Sequence, residues 1–294
     1  MKTHPGSPLR VCSFESRRAT EMKSLIERQG AIATLAPSMR EIPLEDNVAV
    51  FEFADELFAG QIDIVVFMTG VGASALLETL ETRFERSQIF SALEKSIIVV
   101  RGPKPTAILR GWGVRIDHRA PEPNTWREVF GLFESIPLAG RRVAVQEYGA
   151  PSIEFYQTLQ SAGATVMPVP VYRWGLPEDI EPLRKAIRQS IAGEFDVLMF
   201  TSAQQLNHVL AVAAQDGLRE AWLDAVRRDE CVIASIGPTA TETLMSAGLK
   251  VDVEPSHANM GSLVKDSLAY ASSRLTTQNR SGYEEISDNN LPES

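Results

Sequence analysis

Two segments of the chain spell the same pattern: Gly102-Pro103-x-x-Thr106-x-x-Leu109-x-x-x-Gly113 and Gly237-Pro238-x-x-Thr241-x-x-Leu244-x-x-x-Gly248. Each follows a short apolar run, residues 97–100 and 231–236. Proline fits the first helical turn because its missing N–H has no intrahelical partner there, and Thr106 or Thr239 is placed to cap free N–H groups. A helix start of this kind presents unpaired N–H donors and the positive end of the macrodipole, which together hold a carboxylate or a phosphate. The same chemistry is available at Phe200-Thr201-Ser202-Ala203 and at Met68-Thr69-Gly70-Val71-Gly72-Ala73. These turns sit where apolar runs end and helices begin, at the carboxyl edge where open α/β sheets bind ligands. Considered singly, each threonine or serine reads at least as well as an ordinary N-cap.

Other chemistries find little support. Gly70 and Gly72 lack the third glycine of a dinucleotide fingerprint, and no GxxxxGK[ST] cradle occurs. There is no GxSxG and no HExxH, and His4, His118, His208 and His257 lack metal or triad spacing, so they read as surface or capping histidines. Cys12 and Cys231 stand far apart without a CxxC, which argues against a disulfide framework and against zinc, so no metal is expected. Tyr172 follows Val169-Pro170-Val171 and would face a cleft if that segment crosses between domains; a packing tyrosine is the alternative.

The elements that must position these residues follow an α/β rhythm. Residues 9–14, 31–35, 62–68 and 96–100 read as strands, and 19–29, 51–58 and 73–84 as helices. Strands apolar on both faces and separated by helices imply parallel sheets flanked by helices. A shift of 133 residues lays Gly30 on Gly163, Pro37 on Pro170, Asp63 on Asp196 and Phe67 on Phe200, and a shift of 135 superposes the two Gly-Pro segments. The chain therefore reads as two copies of one α/β unit. The expected domains are 9–40 with 172–271, and an inserted 41–171, joined by a two-stranded crossover near Pro37 and Pro170. Residues 272–294 read as a disordered polar tail.

At 294 residues, 44% hydrophobic and 23% charged, the chain has the size for two domains with ordinary cores. A net charge of −9 argues against a protein that grips nucleic acid or an anionic membrane. No apolar h-region opens the chain and no run approaches ~18 apolar residues, so a cytoplasmic location is expected.

Thr201-Ser202-Ala203, Val171-Tyr172-Arg173 and above all Ala234-Ser235-Ile236-Gly237-Pro238-Thr239-Ala240, followed by Leu244 and Gly248-Leu249-Lys250-Val251, resemble the uroporphyrinogen-III synthase family over about residues 9–271. The resemblance implies two similar α/β domains and a monomeric, cofactor-free lyase of heme biosynthesis. Such an enzyme closes hydroxymethylbilane, a linear tetrapyrrole with eight carboxylates, with loss of water and inversion of ring D. It implies Tyr172 as donor to the leaving hydroxyl. The substrate's carboxylates would be held by Thr69, Gly70, Gly72, Gly102, Thr201, Ser202, Ala203, Gly237, Pro238 and Thr239, with Arg17, Arg101, Lys104 and Arg173 as cations. The upstream hydroxymethylbilane-forming enzyme is the candidate protein partner. One departure is the glycine-rich, basic first half, where the family often shows Thr-Ser-x-Asn. Some relatives attach such a domain to a DNA-binding domain, so the rival reading is a noncatalytic tetrapyrrole- or anion-binding regulator on the same scaffold.

Overall fold

Four-residue runs of aliphatic and aromatic side chains, too short and too β-branched for helices, alternate along the chain with longer amphipathic segments. The computed structural model describes residues 7–44, 47–147, 149, 151–228 and 230–288, with side chains described for all of these except 43 and 275–288. His4 lies outside the described residues.

The chain opens with β1 (Arg10–Ser13), α1 (Ala19–Arg28) and β2 (Ile32–Leu35). It continues through β3 (Arg40–Pro43), α2 (Val48–Phe58), β4 (Ile64–Phe67), α3 (Gly70–Glu81), α4 (Arg86–Leu93), β5 (Ile97–Val100), α5 (Pro103–Gly111), β6 (His118–Arg119), α6 (Trp126–Gly131), β7 (Arg142–Gln146), α7 (Ile153–Ser161), β8 (Thr165–Val169) and β9 (Tyr172–Gly175). It closes with α8 (Glu181–Ile191), β10 (Val197–Phe200), α9 (Ala203–Gln215), α10 (Arg219–Arg227), β11 (Val232–Ser235), α11 (Pro238–Ser246) and α12 (Met260–Asp288). Two units result: Met1–Arg40 with Leu176–Ser294, and Glu41–Gly175.

The first unit holds a parallel sheet of order β11-β10-β1-β2, and the second a parallel sheet of order β6-β5-β4-β7-β8. Strands β3 and β9 pair in a two-stranded sheet of their own. Alternation divides each unit's core between the two faces of its sheet. In the first, Cys12, Leu198, Phe200 and Ile233 pack under α8, α9 and α10, while Val11, Val197, Met199 and Val232 pack under α1 and α12. In the second, Val65, Phe67, Ile98 and Val100 face α2, α3 and α4, while Ile64, Val66, Val99 and Val143 face α6 and α7. Burial on both faces is why these strands read as unbroken apolar runs, each buried side chain contributing about 1.5–3 kcal/mol.

The duplication appears in the hydrogen bonds. The Asp196 carboxylate accepts the Arg10 N–H at 2.7 Å and its own N–H donates to the Arg10 carbonyl; Asp63 and Arg142 repeat both bonds. Asp117 Oδ2 accepts the Ile98 N–H and Asp252 Oδ2 the Ile233 N–H in the same way. Both Gly-Pro segments put glycine at the N-cap and proline in the first turn, bury the leucine, and end on glycine at φ +76° and +74°. Strands β7 and β8 thus repeat β1 and β2, and β10 and β11 repeat β4 and β5. Yet β1 pairs with β10 and β4 with β7, so each unit is built from halves of both copies.

Two expectations shift. The first unit resumes at Leu176 rather than 172, because Val171 and Tyr172 bury in the second unit's core. Helix α12 continues through 272–288, where disorder was expected: each residue added to an existing helix gains a hydrogen bond without a new nucleation cost, and no proline intervenes before Pro292. Residues 289–294 lie outside the described residues.

Candidate functional site

Each sheet has one place where the order of strand addition reverses. In the first unit the chain builds outward from β1 to β2 and returns to the other side of β1 as β10; in the second it builds from β4 to β5 and β6 and returns beside β4 as β7. The carboxyl ends flanking these reversals form the crevice in which open α/β sheets bind ligands.

In the first unit that crevice is bordered by Glu15, just beyond β1, and Thr201, just beyond β10. The Thr201 hydroxyl donates to Glu15 Oε2, and the Thr201 N–H donates to Gln205 Oε1 at 2.7 Å. Gln205 Nε2 donates back to Thr201 Oγ1 at 2.7 Å. Both donors of Thr201, expected to hold a substrate carboxylate, are thus engaged by the protein's own acceptors. Ser202 is the N-cap of α9, its Oγ accepting the Gln204 N–H, and Ala203 opens the helix.

In the second unit Thr69 caps α3, its Oγ1 accepting the Gly72 N–H at 2.9 Å. The Thr69 N–H donates to Gln146 Oε1 at 3.2 Å, and Gln146 Nε2 donates to the Glu147 carbonyl. A Cβ on Gly72 would overlap the Gln146 carboxamide, which would have to shift, and one on Gly70 would lie 3.0 Å from the Lys104 carbonyl oxygen of α5. Glu147, 6% exposed, accepts the Tyr156 hydroxyl at 2.8 Å; burial raises its pKa and the tyrosine bond opposes the rise.

The repeated Gly-Pro turns stand next to these crevices, on β5 beside β4 and on β11 beside β10. The N-cap residue of both α5 and α11 is glycine, so neither helix start has an N-cap side-chain bond. The threonines expected to cap them act otherwise: Thr106 Oγ1 donates to the Gly102 carbonyl at 2.7 Å, and Thr239 lies exposed within the first turn of α11. The donor-rich helix starts are therefore those of Gly102 and Gly237–Thr239, flanked in the second unit by half-buried Arg101 and exposed Lys104. Arg17 lies exposed in the loop after β1, and Arg173 is exposed on β9. Tyr172 is 5% exposed, set in the core of the second unit with its ring edge-to-face on Trp174 at 5.2 Å. Buried packing of this kind is one of the two roles that its sequence position offers. His208, expected at the surface, is buried with Nδ1 2.7 Å from the Ser38 carbonyl, and burial lowers its pKa.

Glu15, Gln146, Glu147 and Gln205 were missed by the sequence reading. A signal exists for two of them: a shift of 132 lays Arg10 on Arg142 and Glu15 on Glu147, acids just past duplicated strands. The glutamines have none, since they sit at non-equivalent repeat positions.

Among the described residues no group of three or more His, Cys, Asp or Glu is placed to hold a metal ion, and no helix is long and apolar enough to cross a membrane.

Residues 20–265 match the family model described as uroporphyrinogen-III synthase HemD. The chain belongs to this family. An uncharacterized protein of Bacillus subtilis (strain 168), YjjA, is 25% identical over 267 residues, 89% of this chain and 95% of its own length. The uroporphyrinogen-III synthase of Synechococcus elongatus is 31% identical over 130 residues, 44% of this chain and 46% of its own. A crystal structure of a mutant uroporphyrinogen III synthase from the extremely thermophilic bacterium Thermus thermophilus superposes with a TM-score of 0.70 at 24% identity, covering 89% of this chain and 98% of that one, which shows the shared fold. The HemD-family match begins after β1 and Glu15 and spans Thr201, the second unit's crevice and both Gly-Pro helix starts.

Proposed function

We propose that this chain is a cofactor-free uroporphyrinogen-III synthase, converting hydroxymethylbilane to uroporphyrinogen III with loss of one water and inversion of ring D. The observation that carries this reading is the pair of Gly-Pro helix starts, α5 and α11, one beside the switch point of each sheet in a chain of this family. An octacarboxylate needs many N–H donors, and a protein of net charge −9 supplies them best from backbone and helix ends. The carboxylate donors assigned at the α5 start are Gly102, Lys104 and Arg101, and those at the α11 start are Gly237 and Thr239, with Pro238, which has no N–H, shaping the turn. Thr69, Gly70, Gly72, Ser202 and Ala203 shape the adjoining turns. The protein's task is to hold a flexible four-pyrrole chain so that the substituted carbon of ring D is attacked as water leaves.

Tyr172 is assigned as hydrogen-bond donor to the leaving hydroxyl on the family match of Val171-Tyr172-Arg173. A phenol of pKa ~10 is a weak acid, so this role is one of hydrogen bonding more than full proton transfer. Tyr172→Phe is expected to lower turnover about 30- to 1,000-fold with the thermal midpoint unchanged; unchanged turnover leaves the residue a packing tyrosine.

The reading as a whole is tested by supplying hydroxymethylbilane and separating the product isomers. Type III product is expected; type I alone, the outcome of uncatalysed closure, removes the synthase reading and favours the noncatalytic binder.

A further inference from the structure

The half-buried carboxylate of Glu15 is held more firmly than a surface acid. Its Oε1 accepts the Arg18 N–H at 3.0 Å, its Oε2 accepts the Thr201 hydroxyl, and its own N–H donates to Ser13 Oγ at 3.3 Å. The loop that carries it is tied down in turn: Ser16 Oγ accepts the N–H groups of Ser38 and Met39, both at 3.1 Å, and Ser38 donates to the Phe14 carbonyl while its own carbonyl meets His208. The Arg18 guanidinium, which would neutralise the charge, is turned to Glu21 instead. A carboxylate fixed by the Arg18 N–H and the Thr201 hydroxyl thus stands at the switch point of the first unit. A substrate carboxylate placed there would meet like charge, and Thr201 has no donor left to offer it.

We propose that Glu15 is a specificity-determining residue that accepts pyrrole N–H hydrogen bonds from the bound tetrapyrrole, so that this crevice reads the nitrogen edge of the ligand and turns its carboxylates toward the adjacent α11 start. A carboxylate offers about four lone-pair sites, and the bonds given above engage one on each oxygen, which leaves acceptor capacity for a ligand. Each N–H···carboxylate bond is charge-assisted and roughly twice as strong as a neutral one, and rigidity spares the ordering cost on binding. The identity of the ligand rests on the synthase reading; the role of Glu15 rests on its geometry.

The test has two arms. In the first, uroporphyrinogen I, an octacarboxylate macrocycle whose four pyrrole N–H groups can turn to one face, is titrated under reducing conditions and the quenching of the protein's tryptophan fluorescence followed; in the second, kcat and KM are measured with hydroxymethylbilane. Glu15→Gln keeps size and one acceptor oxygen while removing the charge, and is expected to weaken uroporphyrinogen binding about tenfold and to raise KM more than it lowers kcat. Its thermal midpoint is expected to match the parent within ~2 °C, so a structural role would not produce these changes. Thr201→Val, which removes the anchor of Glu15, is expected to weaken binding less, about threefold, and to lower the thermal midpoint because Gln205 Nε2 loses its acceptor. Equal or tighter uroporphyrinogen binding by Glu15→Gln overturns the proposal, because it would mean that the charge only repels; so would failure of the parent protein to bind uroporphyrinogen. If the parent makes no type III isomer yet Glu15→Gln still weakens uroporphyrinogen binding, the synthase reading falls and the role of Glu15 stands.

Discussion

In the first unit the carboxamide that closes the strand-to-helix turn comes from helix α9, as Gln205, and the repeat equivalent of the second unit's strand glutamine is Phe14, just beyond β1 and stacked on Phe200 with centroids 4.8 Å apart. In the second it comes from strand β7, as Gln146, and the helix position is Gly72, without a side chain. Position 72 is the repeat equivalent of 205, and 14 of 146. Both carboxamides are 1% exposed, and each takes a backbone N–H at the turn: that of Thr201 in the first unit, and that of Thr69, one position further along the repeat, in the second. The buried donor at a strand end must be paired, and duplication left two elements able to supply the partner. The acids diverged along with them: Glu15 grips the turn threonine and keeps its charge near solvent, whereas Glu147 turns inward to Tyr156. Both edges present a Gly-Pro helix start; beside it the second unit carries Arg101 and Lys104, and the first unit a carboxylate, Glu15.

The largest effect is expected from rebuilding one unit's solution inside the other. Gly72→Gln places a side chain where the Gln146 carboxamide already lies, and should cost about 1–3 kcal/mol or more in urea denaturation. Adding Gln146→Phe reproduces the first unit's arrangement and should recover at least ~1 kcal/mol of that loss. Strict additivity of the two changes would show that the positions do not share one space, and the comparison would break.

Next in size are the truncations. Gln205→Ala should cost ~1–3 kcal/mol by stranding the Thr201 N–H, and Gln146→Ala somewhat more, since it leaves both the Thr69 N–H and the Glu147 carbonyl without their partner. Equal denaturation midpoints for parent and variants would mean that water replaces the carboxamide freely.

The smallest effect separates the two acids by pH. Burial raises the folded-state pKa of Glu147 above its unfolded value of ~4.3, so the native state binds the proton more tightly. The stability this contributes is complete below the unfolded pKa and is lost as pH rises through the folded one. Tyr156→Phe removes the bond that opposes the shift and should move the loss to higher pH and enlarge it. The expected result is a denaturation midpoint close to the parent's at pH 4 and lower by ~1 kcal/mol equivalent at pH 8. A pH-independent difference would assign Tyr156 to packing alone.

Much of this was legible in the residues. Alternating burial on both sheet faces made the strands readable as unbroken apolar runs, and Gly102-Pro103 and Gly237-Pro238 marked helix starts because the same backbone geometry demands the same residues. Helix α4 was not legible, since 86–93 has only a weak apolar stripe, nor was the run of α12 past 271, because the polar composition of 272–294 reads as disorder. The candidate site was legible only where chemistry is carried by the backbone. Thr201 looked like a donor to a ligand, but its two donors find Gln205 four residues on and Glu15 far earlier in the chain, and only one of those partners is local.

The sequence by itself determined that the chain is a duplicated α/β unit, with its strands, its Gly-Pro turns and its Asp63 and Asp196 staples. It left open which halves join. Because β1 and β7 are copies, and β4 and β10 are copies, the residues that staple β1 to β10 would staple it equally well to β4. That choice was decided only in tertiary structure, where β1 sits beside β10 and β4 beside β7, and where the unrepeated positions Phe14, Gly72, Gln146 and Gln205 fit one pairing of halves: a carboxamide and an empty helix position on one side, a carboxamide and an aromatic strand-end position on the other. The exchange of halves supplies one carboxamide to each turn.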